Sequence, residues 1–339
     1  MALKWLEGFE SGGASDAALR IYLARKYVTQ LTSAVLTTTG RFGGYACKLR
    51  NVGSNYFQIN LTSTQTLVVG FAFNAIAFAD DKSIIEFRDA GTVQVKLETA
   101  PDGNLRILRG TTALGTTSLL GLKKNSWYYI EVKVKIDNST GTYEVRVGGT
   151  DVLSDTGVDT QMTGNATADQ VRFCGEIISD WSVDDIYVLD TTGALNNDFL
   201  GNVRIGMIVP NGDTVDEDFT PQGAGNNFDE VNDGVTTDDD ATYNESSTAT
   251  DKDLFDYTAL TNIPTIQGVQ ILTEARETDA TDYSLKSIAK SGGTEDADAG
   301  QALSSDYTII SRVVEDDPDS GNLWLLAEIN AATFGYEAV

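Results

Sequence analysis

From Trp127 to Ile136 the chain alternates without a break. Tyr128, Ile130, Val132, Val134 and Ile136 fall on one side, and Trp127, Tyr129, Glu131, Lys133 and Lys135 on the other. A period of two held over ten residues excludes a helix and specifies a strand with one buried and one wet face. Asp137-Asn138-Ser139-Thr140-Gly141 follows, and Tyr143, Val145 and Val147 resume the alternation with Glu144 and Arg146 opposite. Two alternating runs joined by a short polar, glycine-bearing stretch predict an antiparallel hairpin. Further short strands are expected at 44–50, 56–61, 67–73, 84–88, 93–98, 105–109, 170–175 and 185–190, with turns such as Pro101-Asp102-Gly103-Asn104 between them. Many short strands at such spacing indicate an antiparallel sandwich. Helix signals are few: Asp16 to Tyr27 begins with a turn capped by Ser15 and then reads as extended.

Charge divides the chain in two. Residues 1–195 carry a net charge of −3 and residues 196–339 one of −23, out of −26 in all. The strand pattern gives way to Thr, Gly and Asn around Asp190 to Asn197, so we place a boundary there: a β-sandwich domain over 1–193 and a smaller, acidic, mostly β domain over 194–339. In the second domain Ile266–Ala275, Tyr283–Ala289, Tyr307–Val314 and Thr333–Val339 read as strands, and Leu323–Ala331 as a short helix. A net −26 disfavours nucleic acid and anionic lipid as partners.

The chain has no histidine, which removes Ser-His and Cys-His nucleophile systems and imidazole metal ligands. Cys47 and Cys174 match no metal or redox spacing and sit in strand-like runs; buried free thiols are expected, with a disulfide between adjacent strands as the alternative. No apolar run reaches the roughly 18–20 residues of a membrane-spanning helix. Met1 to Glu10 has no continuous apolar core, so no secretion signal and synthesis in a reducing cytoplasm are expected.

Three segments, in order, resemble concanavalin A-like (laminin-G-like) jelly rolls. They are Trp5-Leu6-Glu7-Gly8-Phe9-Glu10, the hairpin Ser126 to Val132 with Gly141 to Val147, and Trp181-Ser182-Val183-Asp184-Asp185-Ile186-Tyr187-Val188-Leu189. The whole chain also resembles tailed-bacteriophage virion proteins that join such a domain to a short acidic one. That resemblance rests on Arg41-Phe42-Gly43-Gly44, Val183 to Asp190, Asn197-Asp198-Phe199-Leu200-Gly201-Asn202-Val203-Arg204, Asp240-Ala241-Thr242-Tyr243, and Trp324 with Asn330 to Gly335. It implies a non-enzymatic virion component, present in repeated copies as a trimer or ring, made in the bacterial host and partnered by other virion proteins.

A retaining glycosidase needs two carboxyl groups about 5–5.5 Å apart, and glycosidases of this fold carry Glu-x-Asp-x-x-Glu. The nearest segments, Ile85 to Asp89 with Glu86 and Gly175 to Asp180 with Glu176, lack that spacing, so no catalytic residue is expected. Asp180, Asp184 and Asp185, and separately Asp238, Asp239 and Asp240, are the candidates for a calcium ion, against a solvated acidic face. Trp127, Tyr129 and Trp181, with Tyr187, are the candidates for stacking a host-surface polysaccharide if they stand on an open sheet face. No phosphate loop is expected in the Gly110–Gly121 stretch.

Overall fold

The computed structural model describes residues 1–31, 35–50, 55–78, 82–175, 180–279 and 282–339. It divides into two compact units, Met1–Ile205 and Gly206–Val339. The division falls after Ile205 rather than after Gly193, because residues 198–205 bond to the first unit's own strands.

The first unit is a two-sheet antiparallel jelly roll. Its strands are β1 (Leu3–Glu7), β2 (Val28–Gln30), β3 (Val35–Thr39), β4 (Tyr45–Leu49), β5 (Tyr56–Thr64), β6 (Thr66–Ala75), β7 (Lys82–Asp89) and β8 (Thr92–Ala100). After these come β9 (Asn104–Arg109), β10 (Thr112–Thr116), β11 (Tyr128–Lys135), β12 (Gly141–Val147), β13 (Thr150–Val158), β14 (Ala168–Cys174) and β15 (Trp181–Asp190). One sheet runs β13-β12-β11-β6-β15-β4-β3, with β1 also paired to β15; the other runs β10-β9-β8-β7-β14-β5-β2. The β11–β12 hairpin forms as the alternation requires, Val132 opposite Val145. Between the sheets, Phe71 of the first meets Phe173 of the second edge-on at 5.6 Å, and Phe173 stacks on Phe57 at 4.9 Å. Cys47 and Cys174 are buried free thiols, not a disulfide, and burial pushes the Cys47 thiol up.

One local expectation fails. Asp16–Lys26 is an eleven-residue helix, α1, where an extended segment was expected beyond the first turn. Ser15 caps it as expected, accepting from the Ala18 amide at 3.1 Å. What carries the helix onward is a tertiary anchor. Leu19, Tyr22 and Leu23 are buried at helical spacing. In its last turn Lys26 meets Glu7 at 2.8 Å, and Glu7 also accepts from the Tyr22 and Tyr27 hydroxyls. No local pattern in residues 16–27 announces a carboxylate waiting on β1.

The second unit is mostly β. One sheet has the order 210–217, 252–257, 333–338, 284–291, 294–297, and a separate pair joins Val269–Ala275 to Thr308–Val314. The expected short helix is the single turn Leu326–Ile329. Trp324 and Phe334 pack with Ile271, Ala289, Val314, Ile329 and Ala332 in one apolar cluster. Phe255, Leu285 and Tyr336 form another. Buried Asp253 accepts from the Phe219 amide and from the Asn227 and Asn244 side chains. Among the described residues no helix is long and apolar enough to cross a membrane.

Candidate functional site

The sandwich presents two outer sheet faces, and the sequence candidates gather on the first. β15 is bulged there: Asp184 pairs with Ala72 and Tyr187 with Gly70, so one extra residue sits in β15, and Asp185 takes a left-handed φ of 48°. A bulge re-aims side chains. Here Tyr187 lies flat on Gly70, whose place a Cβ could not share, because it would fall 2.1 Å from the Tyr187 ring.

Arg41 closes this site. Its backbone N–H donates to Asp184 Oδ2 at 2.8 Å, and its guanidinium meets Asp185 Oδ2 at 2.9 Å. The same guanidinium lies over the rings of Phe42 and Tyr129 and donates to Asn202 Oδ1 and the Val203 carbonyl. Residues 198–205 then run across the face. Asp198 meets Lys133 at 3.0 Å, and the Phe199 ring lies 3.9 Å from the Arg146 guanidinium. The Leu200 N–H donates to the Tyr187 hydroxyl at 3.2 Å and the Gly201 N–H to Glu131 Oε1 at 2.8 Å. The Ile205 N–H reaches Asp185 Oδ1 at 2.7 Å. The three motifs Arg41–Gly44, Val183–Asp190 and Asn197–Arg204 thus meet in one clasp.

Two neighbouring carboxylates are buried beside Arg41, Asp185 on its guanidinium and Asp184 on its backbone N–H. Burial and the neighbouring charge of Asp185 raise Asp184 to about 7. Burial also raises Asp185, opposed by the Ile205 amide and Arg41. Burial beside Glu131 pushes the Tyr187 hydroxyl far up.

This geometry revises the sequence expectations for the face. Tyr129 and Glu131, placed on a wet face, are 3% and 1% exposed because residues 198–205 cover them. Trp181 points the other way, into the core at 1% exposed, donating to the Cys174 carbonyl and packing on Phe73. Neither Tyr129 nor Trp181 offers a face to a sugar; Trp127 is half-buried at the start of β11. Nor does the expected calcium triad assemble. Asp180 pairs with Lys48 and Arg50, roughly 13 Å along the strand from Asp184 at about 3.3 Å per residue. Asp184 and Asp185 are committed to Arg41 and backbone amides. Asp238 turns back to Thr242 while Asp240 reaches Arg276 and Tyr307. Among the described residues no group of three or more His, Cys, Asp or Glu side chains is placed to hold a metal ion.

The second sheet's outer face is different. Gln30, Asn55, Tyr56, Glu86, Arg88, Arg172 and Cys174 line a shallow cavity of about 250 Å³. Antiparallel register builds it: on β14, Arg172 stands between Gln58 of β5 and Glu86 of β7. Arg172 stacks on the Tyr56 ring at 3.7 Å, and its Nε and Nη2 donate to the Gln58 carboxamide oxygen at 2.9 and 2.7 Å. Glu86 is bridged to Arg88 on its own strand. Of the two depolymerase candidates, Glu86 faces this cavity with no second carboxylate among its described lining residues, and Glu176 lies outside the described residues.

No protein-family model matches the chain, and no curated protein matches it. Among solved structures it is similar to cellulose-induced protein Cip1, at 14% identity and a TM-score of 0.43 over 59% of this chain and all of that one. It is similar to alginate lyase Aly36B at 11% identity and a TM-score of 0.40, over 55% of this chain and 96% of that one. Domain 4 of the arabinanase AbnA from Geobacillus stearothermophilus aligns at 13% identity and a TM-score of 0.36, over 46% of this chain and 75% of that domain.

Proposed function

We propose that the chain is a non-catalytic structural component of a tailed-phage particle, in which the jelly roll is the contact module and the acidic unit packs against other copies or a neighbouring virion protein. The supporting observation is the clasp. Three of the segments that carry the virion resemblance are spent on one internal fixture, so what they encode is the mounting of the connecting segment on the sandwich. The charge of the second unit supports the same reading. Its five basic residues, Lys252, Arg276, Lys286, Lys290 and Arg312, are each engaged by an acid of the same unit. The surplus of 23 acids is left to cations or to a basic neighbour. Repeated copies in a trimer or ring would add weak contacts into avidity. Mass spectrometry of gradient-purified particles tests the assignment: the chain should be present at a fixed multiple of the major capsid protein. Its absence from washed, infectious particles would refute the assignment.

A second reading, a host-glycan-binding module, is favoured by the cavity on the outer face of the second sheet. A high-density array of bacterial surface polysaccharides tests it, and a folded protein retained by none of them rules it out. Release of reducing sugar from host envelope, abolished by Glu86→Gln, would overturn the non-catalytic assignment.

A further inference from the structure

We propose that the cavity on the second sheet takes a carboxylate-bearing saccharide, with Arg172 as the residue that receives the carboxylate; the inference rests on the glycan-binding reading of that face. Arg172 is a fixed cation that no carboxylate among the described residues neutralises. An arginine in a sheet is ordinarily matched by a carboxylate across the strand, and Glu86 stands opposite. Yet the described partners of the Arg172 guanidinium are an amide oxygen and an aromatic ring. Both hold its plane in place, and neither cancels its charge. Gln58 takes Nε and Nη2, and among the described residues no acceptor takes the Nη1 donors.

The rest of the lining suits a sugar better than a bare anion. Gln30 brings a carboxamide, which both donates to and accepts from vicinal hydroxyls. Glu86, its charge met by Arg88, accepts hydroxyl protons. Arg88 keeps its Nε buried and without a hydrogen-bond partner among the described residues. Among the described lining residues two arginines stand against one glutamate, a surplus positive charge on a chain of net −26. A planar guanidinium engages a carboxylate through two parallel hydrogen bonds, a geometry that an ammonium does not reproduce.

The test uses the full chain and two probes of equal length, an oligogalacturonate and its carboxyl-reduced neutral form, compared by calorimetry at low salt. The acidic probe should bind at least about tenfold tighter than the neutral one, and about 0.5 M NaCl should erase the difference. Arg172→Gln should weaken the acidic probe about tenfold or more, and Arg172→Lys, which keeps the charge and the fold but loses the fork, should weaken it severalfold. Equal binding of both probes, or unchanged binding in both variants, overturns the carboxylate assignment while leaving the glycan reading in place. Binding of neither probe, nor of mannuronate or sialylated oligosaccharides, by protein with an unaltered melting profile overturns both. Competition of the acidic probe by equimolar inorganic phosphate would show a general anion site, and it too overturns the saccharide assignment.

Discussion

The two outer faces of the sandwich are built alike and end differently. Each is made by every second residue of central strands and mixes Tyr, Glu, Arg or Lys. On the first face Arg41 is buried beside Asp184 and Asp185, Lys133 meets Asp198, and residues 198–205 bond to the Tyr187 hydroxyl, Glu131 and Asp185. On the second, Arg172 is held by Gln58 and Tyr56 beside an open cavity. Identical patterning therefore yields a structural fixture in one place and an accessible cationic hollow in the other. Among the described residues, what separates them is that a distant segment, 198–205, returns to cover the first.

The largest effect expected from breaking this contrast is at Arg41. Arg41→Ala leaves buried Asp185 without its ion-pair partner, and losing one partner of a buried pair costs about 3–5 kcal/mol. The melting temperature should fall steeply, and limited proteolysis should begin to cut within 197–205, which wild-type protein should protect. A variant that melts as wild type does would mean that the clasp is not what holds those residues.

The pH response comes next. Asp184 titrates at about 7 in the folded chain against 3.8 for the ordinary carboxyl. A carboxyl raised by folding contributes stability that is fully present below the unfolded value and lost as pH rises through the folded one. Stability from this group should decline between about pH 4 and pH 7 and level off above it. At 1.36 kcal/mol per unit the bound is about 4 kcal/mol. Denaturant midpoints at pH 4.5, 6 and 8, in wild type and Asp184→Asn, check the slope rather than the level, since Asn also loses one acceptor for the Arg41 and Asp185 amides. An Asn variant with the wild-type slope would remove Asp184 as its source.

A smaller cost is expected at Gly70→Ala. The added methyl meets the Tyr187 ring, and overpacking of a closed site costs about 1–3 kcal/mol. The displaced ring should also loosen the Leu200 and Gly201 amides, read as faster hydrogen exchange at those two positions than at Ile130 or Val132.

How far the sequence discloses this depends on the range of the contacts. The jelly roll is legible because alternation is local: Trp127–Val147 shows its hairpin, and the buried set Ile130, Val132, Val134 and Ile136 follows from the period alone, Tyr128 at its edge being only half-buried. The helix at Asp16–Lys26 is only half legible, since its cap is local and its anchor, Glu7, is not. The wet face of β11 is misjudged for the same reason: alternation separates two faces, but it cannot say that residues 198–205 will lie on one of them. The division after Ile205 rather than Gly193 has that origin too, because composition changes at 190–197 while the contacts change later. The cavity is the least legible. Arg172, Gln58, Tyr56 and Glu86 each show as a polar or aromatic position on a strand, but nothing local tells that β5, β14 and β7 are neighbours.

The smallest stability effect is expected at Arg172, and its smallness is what makes the contrast with Arg41 informative. Arg172 is half-buried, and its partners are a neutral amide and a ring, so replacing it strands no opposite charge. Arg172→Gln should shift unfolding by less than about 1 kcal/mol, within the range of partly exposed polar contacts. The two arginines thus make opposite predictions from one kind of substitution: Arg41 costs stability, and Arg172 costs binding with little stability. Chemical denaturation of both variants in parallel reads the first quantity directly. If Arg172→Gln destabilises as much as Arg41→Ala, the guanidinium on the second sheet is a structural tie as well, and the distinction between a covered and an open face collapses.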